Sequence, residues 1–339
     1  MKILLHTGKF KEVEKSGVGR AIVHQKKALD LVHIPYTTDV NGDYDIVHIN
    51  TIFPESLMLA KKSKKRGKKV IFHAHSTEED FRNSFKLSNA VSPLFKQWLK
   101  SCYGSADLLI TPTEYSKKLL EKYDLDKEII AISNGIDLDF FDRKKCHPDV
   151  FRKKYGFTKD DKVIMSVGLY IERKGILDFL ELARRLPDYK FIWFGYTKPS
   201  LIPENISRAI KNKPDNVLFP GYIDSKELRD AYAGCDIYIF PTKEETEGIV
   251  LLEALALKTK TIVSDIPIYE GWLKDGVNIY KAKDVDEFES KIKSIIEKKL
   301  PDLTSEGYKV AKERDIKSIG YELKKVYEHV LESDLINTD

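Results

Sequence analysis

Short apolar runs rich in Val and Ile recur along the whole chain, each followed by a stretch with helical spacing. This rhythm constrains the fold more than any other feature of the sequence. In the first half the runs are "KILLHT" (2–7), "YDIVHIN" (44–50), "KVIFHAH" (69–75), "DLLITPT" (107–113) and "EIIAIS" (128–133). In the second half they are "KVIMSVG" (162–168), "KFIWFG" (190–195), "NVLFPG" (216–221), "DIYIFP" (236–241) and "KTIVSD" (260–265), with "NIYKA" (278–282) as a further candidate. The runs are nearly continuous in apolar residues and do not alternate in and out. Such strands are buried on both faces, as in parallel sheets covered by helices. Repetition of strand and helix then implies right-handed βαβ units.

A chain of 339 residues exceeds what one hydrophobic core usually serves, so two domains are expected. The turn-rich, charged segment "NGIDLDFFDRKKCHPDV" (134–150) reads as the join, and the rhythm restarts at Lys162. The expected architecture is α/β, with two doubly wound parallel-sheet domains, 1–155 and 156–317, facing each other across a cleft. Over 315–333, Ile316, Ile319, Leu323, Val326, Tyr327 and Val330 have helical spacing. A closing helix, 318–339, is expected to pack back on the first domain. Ligands of open α/β sheets sit outside the carboxyl ends of strands, which makes the cleft the default site.

Several classes are set aside by composition. The chain is 42% apolar and 32% charged, which does not suggest disorder. Cys102, Cys146 and Cys235 are scattered, without CxxC or Cys/His clusters, so neither a disulfide framework nor a zinc site is expected, and a reducing cytoplasm fits. "MKILLHTGKF" reads as a first strand, with an apolar run too short for a secretory leader, and no run approaches the ~18 residues of a membrane span. Charge is uneven: residues 1–110 hold 18 Lys/Arg against 11 Asp/Glu, the remainder 39 against 42. The densest basic cluster, "KKSKKRGKK" (61–69), includes Lys64, Lys65 and Arg66. It reads either as a solvated helix end or as a contact for an anionic surface, membrane or polyanion.

Chemistry concentrates in "EETEGIVLLEALALKTK" (244–260). "DIYIFP" is the strand before it, "TKEETEG" the loop, and "IVLLEALALK" the helix. A helix N-terminus presents unpaired N–H groups and partial positive charge, which suits a phosphate. Gly248 lets a ligand approach the backbone, and Ile249 and Val250 would supply amides. Glu253, one turn inside an oily helix, must find donors, because a buried unpaired carboxylate costs several kcal/mol. A ribose diol offers two. Glu245, eight residues upstream, could accept hydroxyls of a second sugar. The plainer alternative pairs Glu253 with a local lysine and leaves Glu245 in solvent.

Glu245-x7-Glu253, after a strand ending at Pro241, resembles the signature of family 4 glycosyltransferases. "SNGIDLDFF" (133–141), "SVGLYIERKGILDFLELARRL" (166–186), "NVLFPGYIDSKELRDAYAGCDIYIFPT" (216–242) and "HTGKFKEVEKSGVGRAIVHQKKAL" (6–29) resemble further motifs of that family, in the same order. The resemblance implies the GT-B fold of two Rossmann-like domains, an acceptor-binding first domain and a nucleotide-sugar-binding second one. It implies that Lys174 reaches the diphosphate, backbone around Tyr222 and Ile223 holds the base, Glu253 holds the ribose and Glu245 the transferred hexose. Gly17 and Gly19 would admit donor or acceptor to the first loop. The family arginine is Leu169 here, for which Arg173 could substitute. The family's "EGFG" reads Glu245-Thr246-Glu247-Gly248, so an aromatic is replaced by a carboxylate. The resemblance also places a histidine near the reacting sugar carbon. His75 is the candidate for that role, with His73 on the same face and His48 structural.

The family resemblance implies retention of the α-configuration. No base is paired with a nucleophile, so the leaving diphosphate oxygen is expected to take the acceptor's proton. No cofactor and no metal are expected: the triplets "DYD" (43–45), "DLD" (137–139) and "DVD" (284–286) read as helix and strand caps. The segment "SNAVSPLFKQWLKSCY" (88–103) carries Phe95, Trp98 and Lys100 on a stripe that fits either a membrane interface or a core. With the basic cluster it favours a lipid acceptor. The chain looks similar to short bacterial enzymes that add a second hexose to monoglucosyl-diacylglycerol. That similarity implies a UDP-glucose or UDP-galactose donor, an anionic membrane surface on the cytoplasmic face and no nucleic-acid partner. The alternatives are a capsule, lipopolysaccharide or soluble acceptor, or a non-catalytic sugar-binding protein.

Overall fold

The computed structural model describes residues 1–332 and divides the chain into two compact units. Unit one comprises Met1–Phe81, Ala90–Gly135 and the chain from Arg314. Unit two comprises Arg82–Asn89 and Ile136–Glu313. Residues 333–339, part of the expected closing helix, lie outside the described residues.

The sheet of unit one has strands β1 (Ile3–His6), β2 (Tyr36–Thr37), β3 (Ile46–Ile49), β4 (Lys69–His73), β5 (Leu108–Thr111) and β6 (Glu128–Ala131). Its order is β2-β1-β3-β4-β5-β6, with every neighbouring pair parallel. The near-continuous apolar runs arise because each face has its own core. Val47, Ile49, Val70, Phe72 and Leu109 pack on one side with Leu99 and Tyr103 of the helix Ser88–Tyr103. Ile46, Ile71, Leu108 and Ile110 pack on the other with the helices Gly17–Leu31 and Ile316–Glu332. The apolar positions read from the sequence of that last helix are all buried. β2, only two half-buried residues at the sheet edge, is too short for the sequence pattern to announce.

Unit two has β7 (Val163–Val167), β8 (Lys190–Phe194), β9 (Val217–Gly221), β10 (Ile237–Phe240), β11 (Thr261–Ser264) and β12 (Tyr280–Ala282). The order β12-β11-β10-β7-β8-β9 is again parallel throughout. It is the doubly wound Rossmann order, and its winding reverses between β7 and β10. A crevice opens where successive crossovers leave in opposite directions, so the loops after β7 and β10 are where a ligand is placed by topology alone. The division between units falls at Gly135/Ile136, not after residue 155. The helix Pro148–Tyr155 belongs to unit two, where Phe151 is buried and Arg152 bonds Gly234 O at 2.9 Å and Asp236 at 2.9 Å.

Candidate active site

The loops after β7 and β10 meet. The loop after β7 ends in a single helical turn, Glu172–Lys174, closed by Gly175 at φ 77°. A side chain at Gly175 would run into the backbone of Pro241, so the tight approach of the two loops requires glycine there. Lys174 Nζ donates to Glu245 Oε1, Thr242 Oγ1 donates to the same oxygen at 2.8 Å, and Arg173 Nη1 lies 3.9 Å from it. Burial pushes the Glu245 carboxyl up, but Lys174 and Arg173, with the hydrogen bonds from Lys174 and Thr242, outweigh it and hold the group below its ordinary 4.5. Glu245 is therefore not the solvated loop residue of the plainer reading. Its side chain is 7% exposed and that of Lys174 14%.

Arg173 is also committed. Its Nη1 donates to Glu244 O at 2.6 Å, and its Nε donates to Ser84 Oγ at 3.0 Å. Its backbone N–H donates to Asn83 O at 3.1 Å. The segment Arg82–Asn89 thereby belongs to unit two, a placement with no signal in the sequence.

The helix Ile249–Ala256 starts from Gly248 at φ 88°, and no side chain caps it. A start without a capping side chain is the kind of helix end that suits an anion. The helix is apolar all round and buried all round, apart from half-buried Val250. Glu253 sits inside it with 0% exposure. Tyr232 Oη lies 3.3 Å from Glu253 Oε2 and 2.9 Å from Val250 O. Tyr232 is thus one donor that this carboxylate finds. Tyr238 on β10 lies close to both carboxylates: burial, then Tyr269, Glu253 and Glu245, push its phenol well above the usual range. Tyr232, Tyr238 and Thr242 were missed by sequence reasoning. Their signal was spacing, since Tyr238 and Thr242 flank the end of the strand that carries the loop. Glu247, where the family has an aromatic, is buried at 1%. Tyr222 and Ile223 follow Gly221 at the carboxyl end of β9.

In unit one, Gly17 opens the helix Gly17–Leu31, and a β-carbon placed there would meet nothing within 4 Å, which leaves the position open. Gly19 is different. A side chain there would strike the backbone of Val13 and Glu14, and Ser16 Oγ caps its amide at 3.4 Å. Gly19 folds the preceding short helix onto this one, a packing role where ligand approach was expected. His73 and His75 stack at 4.1 Å, and His48 stacks on His73 at 5.4 Å. His75 Nε2 bonds Asn50 Oδ1 at 3.0 Å. Burial drives His75 down to about 3, and burial with the neighbouring His75 does the same to His48.

The expected membrane stripe splits. Phe95 stacks on Phe81 at 4.1 Å, and Trp98 Nε1 donates to Ile52 O at 2.8 Å; both pack against the core. Phe95 and Trp98 are therefore structural, because the helix turns that arc of its stripe inward. Val91 and Leu94, on the other arc, are 40% and 73% exposed. Lys65 and Arg66 are exposed, Lys100 is half-buried, and Lys64 pairs with Asp107 at 2.8 Å. Aspartates of the three Asp-x-Asp triplets accept from the amides of Lys2, Phe140 and Glu287.

Two family models match, Glycosyltransferase Family 4 over residues 24–140 and Glycosyl transferases group 1 over residues 149–314. A processive diacylglycerol alpha-glucosyltransferase of Acholeplasma laidlawii is 43% identical over 334 residues, spanning 98% of this chain and 99% of its own length. The chain is a family 4 glycosyltransferase. As such it is an enzyme of the hexosyltransferase kind, and the alternative of a non-catalytic sugar-binding protein falls. An alpha-galactosylglucosyldiacylglycerol synthase of Streptococcus pneumoniae is 25% identical over 265 residues, covering 75% of this glycosyltransferase and 69% of that protein. The structure of Anabaena HepE in complex with UDP-glucose superposes with a TM-score of 0.74 at 17% identity, covering 97% of this chain and 100% of that one. The shared fold is GT-B.

Proposed function

We propose that this glycosyltransferase moves a hexose from a UDP-sugar to a diacylglycerol-based acceptor at an anionic membrane surface, with retention of the α-configuration. The observation that carries this reading is the near-full-length similarity to the processive diacylglycerol alpha-glucosyltransferase. The relative's processivity extends the acceptor to a diacylglycerol that already bears a glucose. The donor is UDP-glucose or UDP-galactose. Its diphosphate lies at the uncapped start of the Ile249 helix, where Lys174 exchanges Glu245 for phosphate oxygens. Glu245 then receives hydroxyls of the hexose, and Glu253 turns from Tyr232 to the ribose. The acceptor hydroxyl attacks the anomeric carbon on the face the diphosphate leaves. The C1–O(phosphate) bond breaks as the C1–O(acceptor) bond forms, and the proton passes to the departing UDP oxygen. Helix amides and Lys174 stabilise the charge that develops there.

Val91 and Leu94 supply the apolar contact with lipid, and Lys61, Lys62, Lys65 and Arg66, all exposed, supply attraction to anionic headgroups. Among the described residues, no helix is long and apolar enough to cross a membrane. The enzyme is thus proposed to bind peripherally, on the cytoplasmic face.

A donor screen with UDP-glucose and UDP-galactose tests this reading. The acceptors are diacylglycerol and monoglucosyl-diacylglycerol, presented in vesicles with and without anionic phospholipid. The expected result is an α-linked glycolipid, formed faster on anionic vesicles, with co-sedimentation lost at high salt. Transfer only to soluble sugars, or none to either lipid, overturns the acceptor. A β-linked product overturns retention. Unchanged UDP affinity in Glu253→Ala removes that residue from the ribose.

A further inference from the structure

Behind His75, unit one contains an unbroken chain of hydrogen-bonded side chains drawn from four separate elements. His75 Nε2 meets Asn50 Oδ1 at 3.0 Å. Asn50 Nδ2 donates to Gln25 Oε1 at 2.7 Å. Gln25 Nε2 donates to His48 Nδ1 at 2.7 Å, and the same His48 nitrogen lies 2.7 Å from Tyr327 Oη on the closing helix. All five side chains are buried.

The polarity of this chain follows from which end of each carboxamide faces which neighbour. A carboxamide has one accepting and one donating end. Both amide oxygens face the His75 end and both amide nitrogens face the His48 end. Asn50 Oδ1 can only accept, so His75 Nε2 must carry a proton. At the other end, Gln25 Nε2 points into the His48 ring, 2.7 Å from Nδ1 and 3.1 Å from Nε2, and Tyr327 Oη lies 2.7 Å from Nδ1. Reversing one amide alone would set two donors or two acceptors against each other, at a buried site where an unsatisfied group is expensive. The two amides can therefore reverse only together, and the tautomer of His75 is tied to the orientation of both.

We infer that Asn50 and Gln25 are positioning residues that lock the proton of His75 on Nε2, leaving Nδ1 to accept a hydrogen bond from a substrate hydroxyl. Nδ1 has no partner among the described residues. In the opposite tautomer Nδ1 would be a donor and would suit a phosphate oxygen, so the chain decides which substrate group His75 can serve. The inference rests on the reading of His75 as a residue of the reacting site. Tyr327 brings the last described helix into the same device.

The test uses the full chain labelled with 15N-histidine, with tautomers read from long-range 1H–15N correlations at pH 7. The His75 signals are assigned by their loss in His75→Ala. The expected spectrum has His75 protonated on Nε2. Asn50→Leu should release His75 into a mixture of tautomers and lower kcat about tenfold, with the KM for UDP-sugar within about twofold. Asn50→Asp, which keeps an acceptor, should restore the Nε2 tautomer and recover part of the rate. If Asn50→Leu does not fold, Gln25→Met, which breaks the chain one step further back, should give a smaller shift of the same kind. His75 protonated on Nδ1 in the unaltered protein, or on Nε2 without change in the folded variants, overturns the inference. Full turnover in His75→Ala overturns instead the placement of His75 at the reacting site, while the tautomer spectra still decide the chain.

Discussion

The two units build the same layered sheet and place polar groups at the carboxyl ends of their strands, yet they solve burial by opposite means. Unit one keeps its groups neutral: His48, His73 and His75 are stacked, His48 and His75 are hydrogen-bonded to amides and a phenol, and His73 has only the stacking, with neither ring nitrogen bonded among the described residues. Unit two keeps its groups charged: Glu245 is enclosed by Lys174, with Arg173 and Thr242 alongside. A neutral network depends on proton placement, and a charged one depends on having every partner present. The first is sensitive to mild acid and the second to mutation.

The largest effect expected from this contrast is in the pH dependence of unit one. A histidine held below its ordinary value is protonated first in the unfolded chain. Its contribution to stability is complete above the unfolded value of 6.5 and is lost as pH falls below it, down to the folded value of about 3 for His48 and His75. At pH 5 each of these two histidines removes about 2 kcal/mol, so together they remove on the order of 4 kcal/mol. Thermal unfolding between pH 7 and 5 should show one transition falling steeply and another nearly still. Two transitions falling in parallel would erase the contrast. Glu245 has the opposite chemistry but also weakens in acid. Its carboxyl is held below 4.5, so its contribution is present above 4.5 and drains only below it.

Lys174→Ala comes next. It strips a buried carboxylate of its closest cation, and breaking such a pair costs about 3–5 kcal/mol. Urea denaturation should show that loss in unit two alone. A change under about 1 kcal/mol would mean that Arg173 suffices for Glu245. Tyr232→Phe, which removes a donor from fully buried Glu253, should cost about 1–3 kcal/mol by the same measurement. The smallest effect is expected from Leu94→Ser. Leu94 is 73% exposed, so the change should stay within about 0.5 kcal/mol, while Trp98→Ala on the inward arc costs several times more. Equal losses at both positions would undo the division of that helix into an outer and an inner arc.

Much of the fold was legible because strands buried on both faces leave continuous apolar runs, and the closing helix has an unbroken stripe from Ile316 to Val330. Glu245 and Glu253 stood out in the sequence because topology places ligands after strands and both follow β10, while Lys174 stood out through the family resemblance. That Lys174 and Glu245 hold each other was not legible, since the two are far apart in sequence and local pattern carries no pairing across 71 residues. Phe95 and Trp98 misled for a related reason: helical spacing shows that a stripe exists but not which arc a neighbouring element covers. The boundary at Gly135 was hidden because the helix Pro148–Tyr155 looks like a linker until its packing in unit two is seen. Asn50 and Gln25 leave no sequence trace. A single amide beside a strand resembles any other, and its meaning depends on the direction in which three further side chains point.

One face of the first sheet is finished by the Ile316–Glu332 helix, whose Leu323, Val326 and Tyr327 complete the core over Ile46 and Ile71. On a ribosome, these residues appear only after the strands of both sheets. The amino-terminal sheet therefore emerges early but waits, one oily flank uncovered, until the second sheet has been made as well. The carboxyl-terminal sheet has no such debt and is free to fold first.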